Sequence, residues 1–217
     1  MAARKPREPR SWMETTLPAR RRELVAGVDE AGRGPLAGPV VAAAVMLGDV
    51  IPPAGLNDSK QVTARRRQEL ARMIIDACRG WGIGVVSASR IDEINIRRAA
   101  LEAMSKAYAQ LLAQGVEPDL VLVDGRDVFD LPPRSPAVEL RAVVGGDRRS
   151  ANVAAASILA KVWRDSLLLE YHFQWPQYGF DRHKGYPTRQ HLAAIARHGP
   201  CPLHRRTFRR VREYCGD

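Results

Sequence analysis

Two nearly unbroken apolar runs, Leu24–Asp29 (LVAGVD) and Asp119–Asp124 (DLVLVD), each end on an acid with a glycine close behind. Both read as strands, and the second, nearly continuous in apolar residues, is of the sort buried on both faces of a sheet. A third run, Gly38–Leu47 (GPVVAAAVML), follows the first across the Gly- and Pro-rich stretch Ala31–Ala37, predicting two strands joined by a tight loop. Periodicity predicts a helix over Val62–Cys78, with Leu70, Met73, Ile74 and Ala77 on one face. Gly80–Ser89 reads as a third strand. Ile91–Gln114 reads as one long helix with Ser89 as its capping signal and Ile94, Ala100, Leu101, Met104, Tyr108, Leu111 and Leu112 inward. The fourth strand is Asp119–Asp124 and the fifth Val138–Val144. An Ala-rich helix over Asn152–Tyr171 and a short one near Thr188–Arg197 complete the chain. The order β-β-α-β-α-β-β-α-α is that of an α/β fold, a mixed five-stranded sheet flanked by helices.

The chemistry concentrates at the strand ends. In Asp29-Glu30-Ala31-Gly32-Arg33-Gly34-Pro35, two adjacent carboxylates sit where an apolar strand runs out. An acid there loses solvation on its buried side and repels its neighbour unless a cation compensates, and a divalent metal would do so. The competing reading is a solvent-facing turn in which both acids are hydrated. Gly27 and Gly32 have P-loop spacing, but Arg33 and Gly34 stand where that motif needs Lys and Ser or Thr. A dinucleotide-binding reading of Gly32-x-Gly34 fails on spacing, and the acids before it would repel a pyrophosphate. Glycines beside Arg33 do have a coherent use. They let backbone approach a polar ligand while the guanidinium engages a phosphate, and backbone groups held that near can bond a ribose 2′-hydroxyl. Asp124, and Asp147 in a Gly-Gly-Asp turn, complete a set of four acids if the two inner strands are neighbours. Oxygen-only ligation selects Mg²⁺ or Mn²⁺.

The charge balance favours a polyanionic partner, since 34 Lys and Arg against 24 Asp and Glu leave a net +10. From Phe180 to Asp217 there are nine Lys or Arg against three acids, and four of the five histidines fall there too. The three cysteines, Cys78, Cys201 and Cys215, are widely spaced with no C-x-x-C pair, which encodes neither a disulfide framework nor a zinc site and predicts a cytoplasmic protein. No apolar run approaches the roughly 18 residues a spanning helix needs, so no membrane association is expected. The length suits one domain over residues 24–217, with residues 1–23 a loose, basic, disordered extension.

Six ordered blocks carry a resemblance through nearly the whole length from Glu23 onward: VDEAGRGPLAGP (Val28–Pro39), NDSK (Asn57–Lys60), VDG (Val123–Gly125), GGD (Gly145–Asp147), AAASILAKVWRD (Ala154–Asp165), and HKGYPT with HRRTF (His183–Thr188, His204–Phe208). Together they resemble the bacterial ribonuclease HII family. The resemblance implies a ribonuclease H-like core with a helical C-terminal part. It also implies endonucleolytic hydrolysis of the RNA strand of RNA–DNA hybrids and nicking 5′ of ribonucleotides embedded in DNA, leaving a 5′-phosphate and a 3′-hydroxyl. Carried over position by position, Asp29, Glu30, Asp124 and Asp147 would be catalytic and hold two divalent ions, Mn²⁺ or Mg²⁺. Gly32, Arg33 and Gly34 would read the 2′-hydroxyl and phosphate, Tyr186 would pack on the next deoxyribose, and Lys60, Lys161 and Lys184 would lie near phosphates. Asp165 is expected to be structural, paired with Arg164 or a lysine, and His183 and His204 to be structural or phosphate contacts rather than bases. A monomer is expected. Arg148-Arg149 departs from the family pattern after the fourth acid. Two rivals remain: a non-catalytic nucleic-acid-binding module, which four acids in a phosphate-facing cleft argue against, and a two-metal nuclease indifferent to the 2′-hydroxyl.

Overall fold

The computed structural model describes residues 13, 24–48, 56, 62–133 and 135–216. Lys60 and, apart from Met13, the whole of the expected extension 1–23 lie outside the described residues. Strands β1 (Val25–Ala31), β2 (Val40–Met46), β3 (Gly80–Val86), β4 (Leu120–Asp124) and β5 (Glu139–Val143) form one five-stranded sheet in the order β3-β2-β1-β4-β5. β1 pairs antiparallel with β2 and parallel with β4, so the two acid-ending strands are neighbours at the centre. β2 pairs antiparallel with β3, and β4 parallel with β5. The sheet is therefore mixed, as expected. Its edge strand β5 carries Glu139 and Arg141, charged residues that suit an exposed edge.

Strand periodicity explains why the inner strands read as continuous apolar runs. In β2, Val40, Ala42, Ala44 and Met46 face helix α3 (Ile96–Leu112), while Val41, Ala43 and Val45 face helices α1 (Ala64–Ala77) and α4 (Ala151–Gln174). Alternate side chains thus enter two separate cores, and neither can be polar. Both helices come unusually close to the sheet at glycines. A Cβ on Gly27 would lie 2.2 Å from the backbone of Asn152 and Val153 in α4, and one on Gly84 would lie 1.9 Å from Ala103 O in α3. The Ala-rich sequences of α3 and α4 serve this close packing.

Several local expectations change. The predicted helix Ile91–Gln114 is two helices, α2 (Ala88–Ile94) and α3, broken at Asn95, whose backbone is left-handed in φ at 68°. The Asn95 side chain accepts from the N–H groups of Arg97 and Arg98, and Ser87 rather than Ser89 caps α2. An Asx cap offers the backbone a local alternative to helix continuation, and here it prevails over apolar periodicity. β3 accordingly stops at Val86 instead of reaching Ser89. On α1, Leu70, Ala71 and Ile74 are buried, while Met73 is exposed, because α4 crosses a narrower stripe than the periodicity drew.

Beyond α4 the chain forms helices α5 (Phe180–His183), α6 (Arg189–His198) and α7 (Arg209–Arg212) around a third core of Leu36, Ala37, Leu168, Tyr178, Phe180, Ile195, Cys201 and Val211. Leu36 and Ala37 belong to the loop after β1, so this C-terminal part packs directly on the segment that follows the paired acids. Among the described residues, no helix is long and apolar enough to cross a membrane.

Candidate active site

The β1–β4 pairing ends at Val28 and Val123, and the next residue on each strand is an acid, Asp29 and Asp124. Parallel register thus places two carboxylates side by side where the sheet stops. The pleat sends Asp29 toward α4, together with Gly27, and Glu30 toward α3. Asp29 accordingly accepts a hydrogen bond from the Ser157 side chain on α4, and its Oδ1 also accepts from Glu30 N at 2.7 Å. Glu30 pairs with the half-exposed Arg33 at 3.4 Å. Asp124 Oδ1 accepts from Gly146 N at 2.7 Å, which ties the end of β4 to the single-turn helix Gly146–Arg148 containing Asp147.

These residues line one open cavity of about 280 Å³, walled by Asp29, Glu30, Asp124, Asp147, Gly32–Gly34, Ser157, Lys161 and Tyr186. All four sequence-predicted carboxylates meet there, with all three predicted glycine-loop residues, Lys161 and Tyr186. Lys184 does not line the cavity. Its Nζ donates to Asp181 O, its carbonyl accepts from Arg164, and its φ of 50° turns the chain toward Tyr186. Ser157 is the addition that sequence reasoning missed: in an alanine run its hydroxyl reads as an ordinary helical serine. Its one signal is spacing, because Ser157, Lys161 and Asp165 recur every four residues on one face of α4. Lys161 Nζ binds Asp165 at 2.6 Å and lies 6.0 Å from the Tyr186 ring centre. Arg67 on α1 also pairs with Asp165, at 3.3 Å. The lysine is the partner of Asp165, as one of the two sequence alternatives had it, while Arg164 turns into the interior.

Burial, reinforced by the charges of Glu30 and Asp124, holds the Asp29 carboxyl well above the usual carboxylate range, against the opposing hydrogen bond from Ser157. Burial also raises Glu30, which Arg33 partly offsets. Among the described residues, no three His, Cys, Asp or Glu side chains converge into a ready coordination shell. Each of three acids instead leans on a protein donor: Ser157 and Glu30 N, Arg33, or Gly146 N. The donor chemistry nevertheless fits a hard cation: the acidic groups are all oxygen donors, and Asp29 carries a buried charge that nearby protein groups leave undercompensated.

His183, His191 and His204 are buried away from the cavity. Cys201 N donates to His204 Nδ1 at 3.0 Å, His191 Nε2 and His204 Nε2 are 3.1 Å apart, and His191 Nδ1 lies 3.0 Å from Tyr186 O. These contacts fix a single set of tautomers in which His191 donates to the Tyr186 carbonyl. Burial lowers the pKa of His191 and of His204 to about 4. Their buried contacts are structural, which is the first of the two alternatives expected for His183 and His204.

Similarity to known proteins agrees with this geometry. The family model for Ribonuclease HII matches residues 26–211. Ribonuclease HII 1 of Methylibium petroleiphilum is 53% identical over 190 residues, covering 88% of this chain and 92% of that protein. Among solved structures, ribonuclease H2 from Pyrococcus horikoshii OT3 superposes with a TM-score of 0.69 at 26% identity, covering 88% of this chain and 96% of that one. Bst ribonuclease HIII in complex with Mn²⁺ shares the fold at a TM-score of 0.66 and 18% identity, covering 88% of this chain and 68% of its own. The chain belongs to the ribonuclease HII family of endonucleases, whose members hydrolyse RNA in RNA–DNA hybrids.

Proposed function

We propose that this protein hydrolyses the RNA strand of RNA–DNA hybrids and nicks DNA immediately 5′ of embedded ribonucleotides, leaving 5′-phosphate and 3′-hydroxyl ends. One observation carries the reading. A single cavity joins four carboxylates at the ends of β1 and β4 and in the Asp147 turn to a glycine–arginine–glycine loop, a lysine and an exposed tyrosine. Asp29, Glu30, Asp124 and Asp147 would hold two divalent ions, Mg²⁺ or Mn²⁺, and a Mn²⁺ complex is known for a ribonuclease HIII of this fold. Such ions, when bound, lower the pKa of an attacking water and offset charge on the leaving oxygen.

The chain's own groups do the rest. Gly32 to Gly34 bring backbone within reach of a ribose 2′-hydroxyl, and Arg33, half-exposed beside Glu30, faces a phosphate. The Tyr186 ring stands against the loop, 3.7 Å from the Cβ position of Gly34, and is partly exposed, so a sugar entering the cavity would pack on its open side. Lys161, Lys184 and Lys60 supply positive charge for the phosphates, Lys161 from within the cavity. The Ser157 hydrogen bond favours the ionised form of Asp29, against the burial and neighbouring charges that raise its pKa. No side chain is required as a covalent nucleophile. Residues 24–217 would act as one catalytic unit, with residues 1–23 an appendage, in a monomeric cytoplasmic protein.

The test is cleavage of a labelled uniform RNA–DNA hybrid with Mg²⁺, Mn²⁺ or EDTA, comparing wild type with Asp29→Asn. Metal-dependent cutting of the RNA strand alone, lost in the variant while hybrid binding persists, is expected. Salt-sensitive binding with no cleavage by folded wild type would overturn the reading in favour of a binding module.

A further inference from the structure

Among the described residues, the two largest fully buried side chains are both arginines, Arg164 and Arg205. A buried guanidinium is costly unless every N–H finds an acceptor and its charge is compensated. No carboxylate pairs with either one among the described residues, and both turn instead to backbone carbonyls. Arg205 donates through Nε to Gly38 O at 3.0 Å, through Nη1 to Arg33 O at 3.0 Å and Pro35 O at 2.8 Å, and through Nη2 to Gly32 O at 2.6 Å. Arg164 donates to Pro39 O, Ala37 O and Lys184 O at 3.0–3.1 Å. Six of these seven carbonyls lie in residues 32–39, the loop between β1 and β2, and the seventh is two residues before Tyr186. Burial pulls the pKa of both guanidiniums below its ordinary value, and for Arg205 the neighbouring Arg164 charge adds to this.

The consequence lies on the other side of the loop. All described peptides are trans, and in a trans peptide the C=O and N–H groups point in opposite directions. Drawing the Gly32 and Arg33 carbonyls down onto Arg205 therefore turns the N–H groups of Arg33 and Gly34 away from it, and neither meets a backbone acceptor among the described residues. Gly32, Arg33 and Gly34 line the cavity.

We propose that Arg205, braced by Arg164, is a positioning residue: by collecting the inner carbonyls of the 32–39 loop it presents the Arg33 and Gly34 N–H groups to a substrate oxygen, a ribose hydroxyl or a phosphate. Two buried guanidiniums beneath the loop, influenced by the nearby charges of Asp92 and Asp165 but directly paired with no carboxylate, reinforce its attraction for an anionic backbone. Arginine is required because its planar fork reaches four carbonyls at once, whereas a lysine radiates three donors from one atom. Arg164 has the further task of tying the Tyr186 segment to the same loop, and it fills the space where Gly32 has no side chain: a Cβ there would lie 2.1 Å from Arg164 Nε.

This inference rests on the nuclease reading, and the test separates the two. Arg205→Lys and wild type are compared by kcat/KM on a duplex with one embedded ribonucleotide and on a uniform RNA–DNA hybrid. A uniform RNA strand offers a 2′-hydroxyl at every step, so a displaced loop still meets one, whereas a single ribonucleotide demands register. The ratio of the two is expected to fall at least tenfold in Arg205→Lys. Equal losses on both substrates mean a merely structural arginine and overturn the proposal. Should Arg205→Lys not fold, NMR of metal-free wild type decides: the Arg205 Nε–H is expected to be protected from exchange, and the Arg33 and Gly34 amide resonances to shift with the ribonucleotide-containing duplex but not with all-DNA duplex. Solvent-rate exchange or unmoved amides overturn the proposal. Wild type that cuts neither substrate removes the nuclease reading, and the positioning role with it.

Discussion

The hydrogen bond from Gly146 N to Asp124 Oδ1, at 2.7 Å, fastens the turn that carries Asp147 to the end of the central strand β4. The same carboxylate faces Asp29 across the sheet end, and its charge helps raise the Asp29 pKa. Asp124→Asn keeps an oxygen for Gly146 N while removing that charge. Turnover is expected to fall by at least about 100-fold, the scale of losing a preorganised electrostatic group, with hybrid binding retained. In metal-free protein, thermal stability at neutral pH is expected to hold or rise because a like-charge repulsion is gone. Wild-type turnover, or a lowered melting temperature, would contradict this.

The raised pKa of Asp29 gives a pH signature. The folded state holds this proton more tightly than the unfolded chain, so stability is undiminished below the ordinary carboxylate pKa and is lost as pH rises through the folded value. Asp29→Asn removes that loss. In EDTA, the stability of the variant relative to wild type is therefore expected to grow as pH rises from acid toward neutrality. A difference independent of pH would show that Asp29 is not perturbed.

Ser157 opposes that perturbation through its hydrogen bond to Asp29. Ser157→Ala is expected to raise the Asp29 pKa further and move the acidic limb of the kcat/KM profile to higher pH, at a stability cost of about 1 kcal/mol. An unshifted limb with lowered kcat would assign Ser157 some other role.

His191 and His204 have the opposite linkage. Their folded pKa values, about 4, lie below the unfolded value near 6.5, so their contribution is complete above that value and is lost as pH falls toward 4. Because His191 donates to Tyr186 O, hydrogen exchange in the 183–188 segment is expected to accelerate in this window ahead of β1 and β4. Simultaneous exposure of all three segments would contradict the local link.

Arg33→Ala and Tyr186→Ala are expected to reduce nicking at a single embedded ribonucleotide more than cleavage of a uniform hybrid. Equal losses would remove their part in recognising a lone ribonucleotide.

What the sequence made legible was set by burial. Asp29 and Asp124 stood out because acids ending doubly covered strands conflict with their surroundings, and that conflict survives in one dimension. Whether the two strands are neighbours was a condition the sequence left open, and the parallel β1–β4 pairing meets it. Ser157 was hidden because a helix tolerates a serine whether or not its hydroxyl reaches a carboxylate. Arg205 sat in a cationic tail that reads as a surface for a polyanionic partner, and only three dimensions reveal that it is fully buried. The break at Asn95 was lost because apolar periodicity continues across it while a single side chain redirects the backbone.

The central claim is tested most directly with a 5′-labelled DNA duplex containing one ribonucleotide, beside an all-DNA control, in Mg²⁺, Mn²⁺ or EDTA. Metal-dependent nicking immediately 5′ of the ribonucleotide, with the control intact, is the expected result. Cleavage of both duplexes, or of neither by folded protein, would contradict it.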